Sequence, residues 1–156
     1  MGLRLKSFKG IALAAAVSVY ALIVIGGFVT STGSGLACPD WPLCNGQIVP
    51  TLSGPVLVEY THRVWSLFTF ILVIATAFLA WKSTGIQSKI TLLALTSLAA
   101  ILTQVILGML TVQSLSHPYM VTTHLALGTL VFGLSVATAV VALMAAPLEK
   151  HRLSIG

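Results

Sequence analysis

The stretch GIALAAAVSVYALIVIGGFVT, Gly10–Thr30, contains no charged residue. A helix that crosses the hydrocarbon of a bilayer needs roughly 20 mostly apolar residues, and this run supplies them. It follows Arg4, Lys6 and Lys9, an arrangement shared with signal peptides. The apolar core of a signal peptide is shorter, roughly 7–15 residues, so the run reads as a retained helix. Three further stretches have the same character, residues 56–81, 90–112 and 119–146. The chain is therefore expected to be all-α and integral to a membrane. Residues 1–156 would form a single four-transmembrane-helix bundle, with one long loop over residues 31–55.

Composition agrees. Hydrophobic residues make up 57% of the chain and charged residues 7%, where a soluble domain carries about a quarter charged. Such a surface calls for lipid as its solvent. The net charge of +5 does not indicate nucleic acid, because the basic residues sit beside the apolar spans. Arg4, Lys6 and Lys9 precede the first span, Lys82 and Lys89 separate the second and third, and Lys150 and Arg152 follow the fourth. Only Arg63 lies on the other side. The positive-inside rule then puts both termini and the short middle loop in the cytoplasm. The expected location is the cell membrane, with the long loop outside.

That loop holds both cysteines, Cys38 and Cys44, around Pro-Asp-Trp-Pro-Leu. Two cysteines this close in an oxidising compartment most simply form a disulfide. They read as a loop staple or as a redox-active pair. No histidine lies in the loop to complete a zinc site.

The two halves show a weak duplication. Gly27-Phe28-Val29-Thr30 resembles Gly108-Met109-Leu110-Thr111, and Tyr60-Thr61-His62 resembles Thr122-Thr123-His124. Both hairpins run the same way, so the repeat is parallel and its twofold axis lies along the membrane normal. His62 and His124 then sit at equal depth, about one turn into their spans. Buried ionisable groups are costly in a membrane and mark functional positions. Two imidazoles at one depth on facing helices suit the axial positions of a heme iron. The alternative is an interhelical hydrogen bond from each. Glu59 lies one turn before His62 on the same helical face. It can accept a proton or stabilise positive charge near a bound ring, or form a structural salt bridge with Arg63. Arg63 can pair with heme propionates or reach for water. Gly26, Gly27, Gly108, Gly128 and Gly133 are explained by helix packing. His117 and His151 read as solvated.

Gly26-Gly-Phe-Val-Thr-Ser-Thr-Gly-Ser-Gly-Leu36, then Cys38-Pro-Asp-Trp-Pro-Leu-Cys-Asn-Gly46, then Glu59-Tyr-Thr-His-Arg63 closely resemble the N-terminal half of heme A synthase. His124 matches the second histidine of that half, and the resemblance covers essentially the whole chain. It implies oxidation of the heme O ring methyl to a formyl group, giving heme A for terminal oxidases. It further implies that His62 and His124 ligate the heme iron, with heme O as substrate or heme B as cofactor. Glu59 would act on the substrate methyl, and Cys38 and Cys44 would be the loop cysteine pair. The usual members have eight spans in two such halves. This chain is similar to the short archaeal-type members, in which a homodimer would restore eight helices. The family commonly has His after the second cysteine, where this chain has Asn45. A heme O synthase and an electron donor are the expected partners. The competing reading is a bis-histidine b-type cytochrome or a heme carrier for oxidase assembly. It needs His62 and His124 but not Glu59.

Overall fold

Four helices follow one another in the computed structural model, which describes the backbone of residues 2–85 and 87–153 and the side chains of 6–85 and 87–144. They are α1 (Gly2–Ser31), α2 (Gly54–Thr84), α3 (Lys89–Gln113) and α4 (Pro118–Leu153). Each contains a segment long and apolar enough to cross a membrane: Lys6–Ser31, Gly54–Thr84, Lys89–Gln113 and Pro118–Met144. There is no strand among the described residues, which bears out the all-α expectation. Arg4, Glu149, Lys150, His151 and Arg152 lie outside the described side chains.

Local chemistry sets the ends of the helices. Gly33, with φ 66°, lies two residues beyond the end of α1. Pro55 occupies the first turn of α2, where its missing N–H costs nothing. Gly85 closes that helix with φ 83° and donates its N–H to the Trp81 carbonyl at 2.9 Å, a conformation open to glycine without Cβ strain. The Ser88 hydroxyl caps α3 by accepting the Ile90 N–H. Lys82 places its ammonium 4.5 Å from the Trp81 ring, the pairing of cation and aromatic that anchors a helix end at a membrane interface.

Helix α1 packs on α2 and α4, and α3 packs on α4 and α2, so α2 and α4 stand diagonally. The buried positions reveal the duplication in full. On α2 and α4, buried Thr69, Val73, Thr76, Ala77 and Ala80 correspond to buried Val131, Ser135, Thr138, Ala139 and Ala142, each 62 positions later. That is the spacing of His62 and His124. On α1 and α3, buried Ala12, Ala15 and Val19 correspond to Ala94, Ser97 and Ile101, each 82 positions later. A small void on the axis is lined by four such pairs: Ala12 with Ala94, Ala15 with Ser97, Val73 with Ser135, and Thr76 with Thr138. The structure moves the α1–α3 register by one residue from the sequence match. Gly26, not Gly27, is the counterpart of Gly108, because the packed faces set the equivalence.

Small residues dominate this core. Alanine clusters with Phe8 at the end distant from the long loop, and Val19, Val73, Ile101 and Val131 pack nearer the middle. Hydrocarbon offers helices no hydrophobic drive to associate, so close backbone approach and interhelical hydrogen bonds take its place. Ser18 and Thr69 lie 2.7 Å apart across α1 and α2. Since Thr69 donates to the Trp65 carbonyl, Ser18 is the donor of the pair. Ser97 and Ser135, 3% and 4% exposed, have hydroxyls without a partner among the described residues. Breaking the paired contact with Thr69→Val is expected to cost about 0.5–1.5 kcal/mol. Ser97→Ala and Ser135→Ala should cost nothing or raise stability slightly, since each removes an unpaired buried hydroxyl. Thermal unfolding of the detergent-solubilised protein compares the two classes.

Candidate functional site

The histidines lie on diagonal helices, eight residues into α2 and six into α4. At 1.5 Å per residue these positions are roughly 12 and 9 Å from the helix starts, both at the end of the bundle that carries the cysteine loop. Each imidazole rests against the preceding helix at a glycine. A Cβ added to Gly26 would stand 3.2 Å from His62 Cε1, and one added to Gly108 would stand 3.3 Å from His124 Cε1. A Cβ on Gly27 would meet nothing within 4 Å. Gly26 and Gly108 are therefore part of the site, which packing arguments from sequence did not reveal. A glycine late in the first helix of each hairpin was the available signal, and it was obscured by the adjacent glycine at 27.

Nδ1 of His62 and Nδ1 of His124 are both buried and without a hydrogen-bond partner among the described residues. The second hairpin adds Gln104, which donates from Nε2 to the His124 carbonyl at 2.7 Å and stacks its amide on Gly128. Its Oε1 is a third buried atom without a partner. Polar atoms left unpaired in a core are rare and call for an explanation; here three of them gather around two imidazoles.

Glu59 is 5% exposed. Its Oε1 accepts the Arg63 Nε–H at 2.8 Å, so the salt bridge weighed from the sequence is present. Oε2 accepts no hydrogen bond from the described residues. Arg63 does not extend toward water. Its Nη1 donates to the Asp40 and Leu43 carbonyls, both at 2.7 Å, and its Nη2 to the Cys38 carbonyl at 2.6 Å. With Nε, four of the five guanidinium N–H groups are used within the protein. One remains. His117 is exposed and stacks near Tyr119, with ring centroids 5.5 Å apart.

The cysteines form the expected disulfide, and both are fully buried. Inside the closed loop, Asp40 accepts the Asn45 N–H at 2.6 Å and the Gly46 N–H at 2.8 Å. Asn45 and Gly46 both have positive φ, 53° and 74°, a turn that asparagine and glycine tolerate. Asn45 Nδ2 also donates to the Ala37 carbonyl at 3.2 Å, so Asn45 helps to close the loop. The Gly46 N–H, followed by that of Asn45 and by the Arg63 charge, holds the Asp40 carboxyl below its usual value, against the opposing effect of desolvation. A depressed carboxyl stabilises the fold above its unfolded-state pKa, and the contribution is lost as pH falls through the folded-state value. Acidification below the ordinary aspartate range should therefore loosen the turn. Amide exchange at Asn45 and Gly46, corrected for its intrinsic pH dependence, should accelerate there. In Asp40→Ala it should be fast at neutral pH as well.

Among the described residues no three His, Cys, Asp or Glu side chains converge as a self-contained metal site. A metal carried by a macrocycle would need fewer ligands from the protein, and His62 and His124 are residues of the type that would supply them.

Comparison with known proteins places these features. A family model described as COX15-CtaA, cytochrome oxidase assembly protein, matches residues 9–54 and 52–154. A heme A synthase of Bacillus licheniformis is 36% identical over 104 residues, covering 66% of this chain and 34% of that protein. A heme A synthase of Staphylococcus epidermidis is 30% identical over 131 residues, covering 83% and 43%. A protoheme IX farnesyltransferase of Halobacterium salinarum is 35% identical over 125 residues, covering 80% and 27%. The matches thus span about a quarter to two fifths of these relatives' own length. The glycine-backed histidines, the Glu59–Arg63 pair and the closed cysteine loop are all carried by a membrane chain that belongs to the COX15-CtaA family of cytochrome oxidase assembly proteins.

Proposed function

We propose that this protein is a heme A synthase, an oxidoreductase that converts the ring methyl of heme O to a formyl group for terminal oxidases. The observation that carries the reading is the repeated unit of the site. Gly26 with His62 and Gly108 with His124 are the same contact made twice, and Glu59 stands one turn from the first. The relatives named as heme A synthases support the substrate class.

In this reading His62 and His124 would hold the heme through their imidazole nitrogens. The bound iron supplies the redox chemistry. Oxidation of a methyl to a formyl group with water as the oxygen source passes four electrons, in two-electron steps, to an external electron acceptor and releases four protons beside the ring. The free Oε2 of Glu59 is the acceptor for such a proton and offsets positive charge that develops at the methyl carbon. The last N–H of Arg63 is available to a carboxylate of the substrate. Positive-inside bias puts the cysteine loop and this end of the bundle outside the cytoplasm. A second copy of the chain would supply the remaining four helices of the longer relatives. An enzyme that attaches a farnesyl group to protoheme would supply the substrate, a pairing supported by the match to a protein of that name.

Cells carrying Glu59→Ala are expected to accumulate heme O and lose heme A, read by extraction and chromatography. Unchanged heme A would remove Glu59 from the chemistry, and would favour an electron-transferring cytochrome or a heme carrier if heme binding persists. The purified protein should show a bis-histidine absorption spectrum that disappears in His62→Ala and in His124→Ala. A folded preparation without heme would overturn the reading. Gly26→Ala should lower heme affinity about tenfold or more by displacing the ligand ring, while Gly27→Ala leaves it unchanged.

A further inference from the structure

Glu59 is attached to the cysteine loop through a single side chain. The Cys38–Cys44 disulfide closes a seven-residue ring, and the carbonyls of Cys38, Asp40 and Leu43 from that ring all turn toward one guanidinium. Arg63 fills the ring from the side of α2, and its remaining Nε grips Glu59 one turn away. The Asp40 carboxylate accepts from the Asn45 and Gly46 N–H groups. It shapes the turn beside the ring and takes no hydrogen bond from the guanidinium.

We propose that Arg63 is a positioning residue for the Glu59 carboxylate, and that the disulfide-closed loop is the frame that fixes Arg63. The inference rests on the heme-oxidising reading for its consequence in turnover, though not for its geometry. A guanidinium is a flat, rigid fork, and carbonyls that fix its plane also fix the direction of Nε–H. The Oε1 atom is then held in one place, and Oε2 keeps one orientation toward the space beside His62. An ammonium in the same position would neutralise Glu59 but could not satisfy three carbonyls and a carboxylate from fixed directions. The charge would be preserved and the orientation lost. Opening the ring has the same effect from the other end, because scattered carbonyls no longer define the guanidinium plane.

The test uses Arg63→Lys, the double substitution Cys38→Ser with Cys44→Ser, and the combination of all three, in the full-length membrane protein. Three readouts are taken. The first is the helical circular dichroism of the purified protein, which should match the parent in every variant and so shows that each is folded. The second is the infrared signature of the Glu59 carboxylate, assigned by difference from Glu59→Gln. Its bands should shift in Arg63→Lys and in the cysteine pair alike, and the combined variant should shift no further. The third is the ratio of heme A to heme O, which should fall by about ten- to a hundredfold in Arg63→Lys, the scale on which misplacement of a reacting group acts. The combined variant should be no worse, because all three changes break one linkage. Unshifted Glu59 bands in Arg63→Lys overturn the proposal, as do bands that shift in Arg63→Lys but not in the cysteine pair. Full conversion in Arg63→Lys, or losses that multiply in the combined variant, overturn it too. If no variant and not even the parent makes heme A, the oxidising reading fails, and the infrared result still decides whether Arg63 relays the loop to Glu59.

Discussion

Hydrocarbon cannot hydrogen-bond, so every polar group carried into the membrane has to find its partner within the protein. Most of this chain's architecture follows from that constraint. The backbone meets it by remaining helical through all four spans. The hydroxyls of Thr69, Thr76, Thr111 and Thr138 meet it by donating to carbonyls one turn back along their own helices. Ser18 meets it by reaching across to Thr69. Arg63 meets it most fully, with four hydrogen bonds that draw an entire loop onto the end of α2.

Against this rule the unpaired atoms are informative. The imidazoles of His62 and His124 and the amide of Gln104 each leave a buried atom without a partner. They lie at the end of the bundle that bears the disulfide loop, and the two histidines occupy positions related by the repeat. A polar group retained in a core without satisfaction is costly, and the two histidines carry that cost at both repeat-related positions. The unpaired serines on the axis lie deeper, among alanines, and lack any such ensemble of titratable neighbours.

The duplication is economical in structural terms, but the halves are not equal. The first hairpin carries the long loop, the disulfide, Glu59 and Arg63, and the Ser18–Thr69 pair. At the positions equivalent to Ser18 and Thr69 the second hairpin has Ala100 and Val131, and it carries Gln104 where the first has Leu22. A twofold scaffold thus carries a histidine in each half but the Glu59–Arg63 pair in only one.

The sequence by itself determined the class of solvent, the four spans, the pairing of the cysteines and the equal depth of His62 and His124. These depend on composition and on distance along the chain, and both are local properties. The sequence also contained the repeat, but only to within one residue on α1. Neighbouring Gly26 and Gly27 are chemically identical, and only the packed helix shows which of them faces an imidazole. The fate of Arg63 lay further out of reach. Its partners at residues 38, 40 and 43 are backbone carbonyls, which every residue possesses and no side-chain pattern can mark. Whether a guanidinium reaches for water or closes a loop depends on where those carbonyls are turned, and tertiary structure alone decides that.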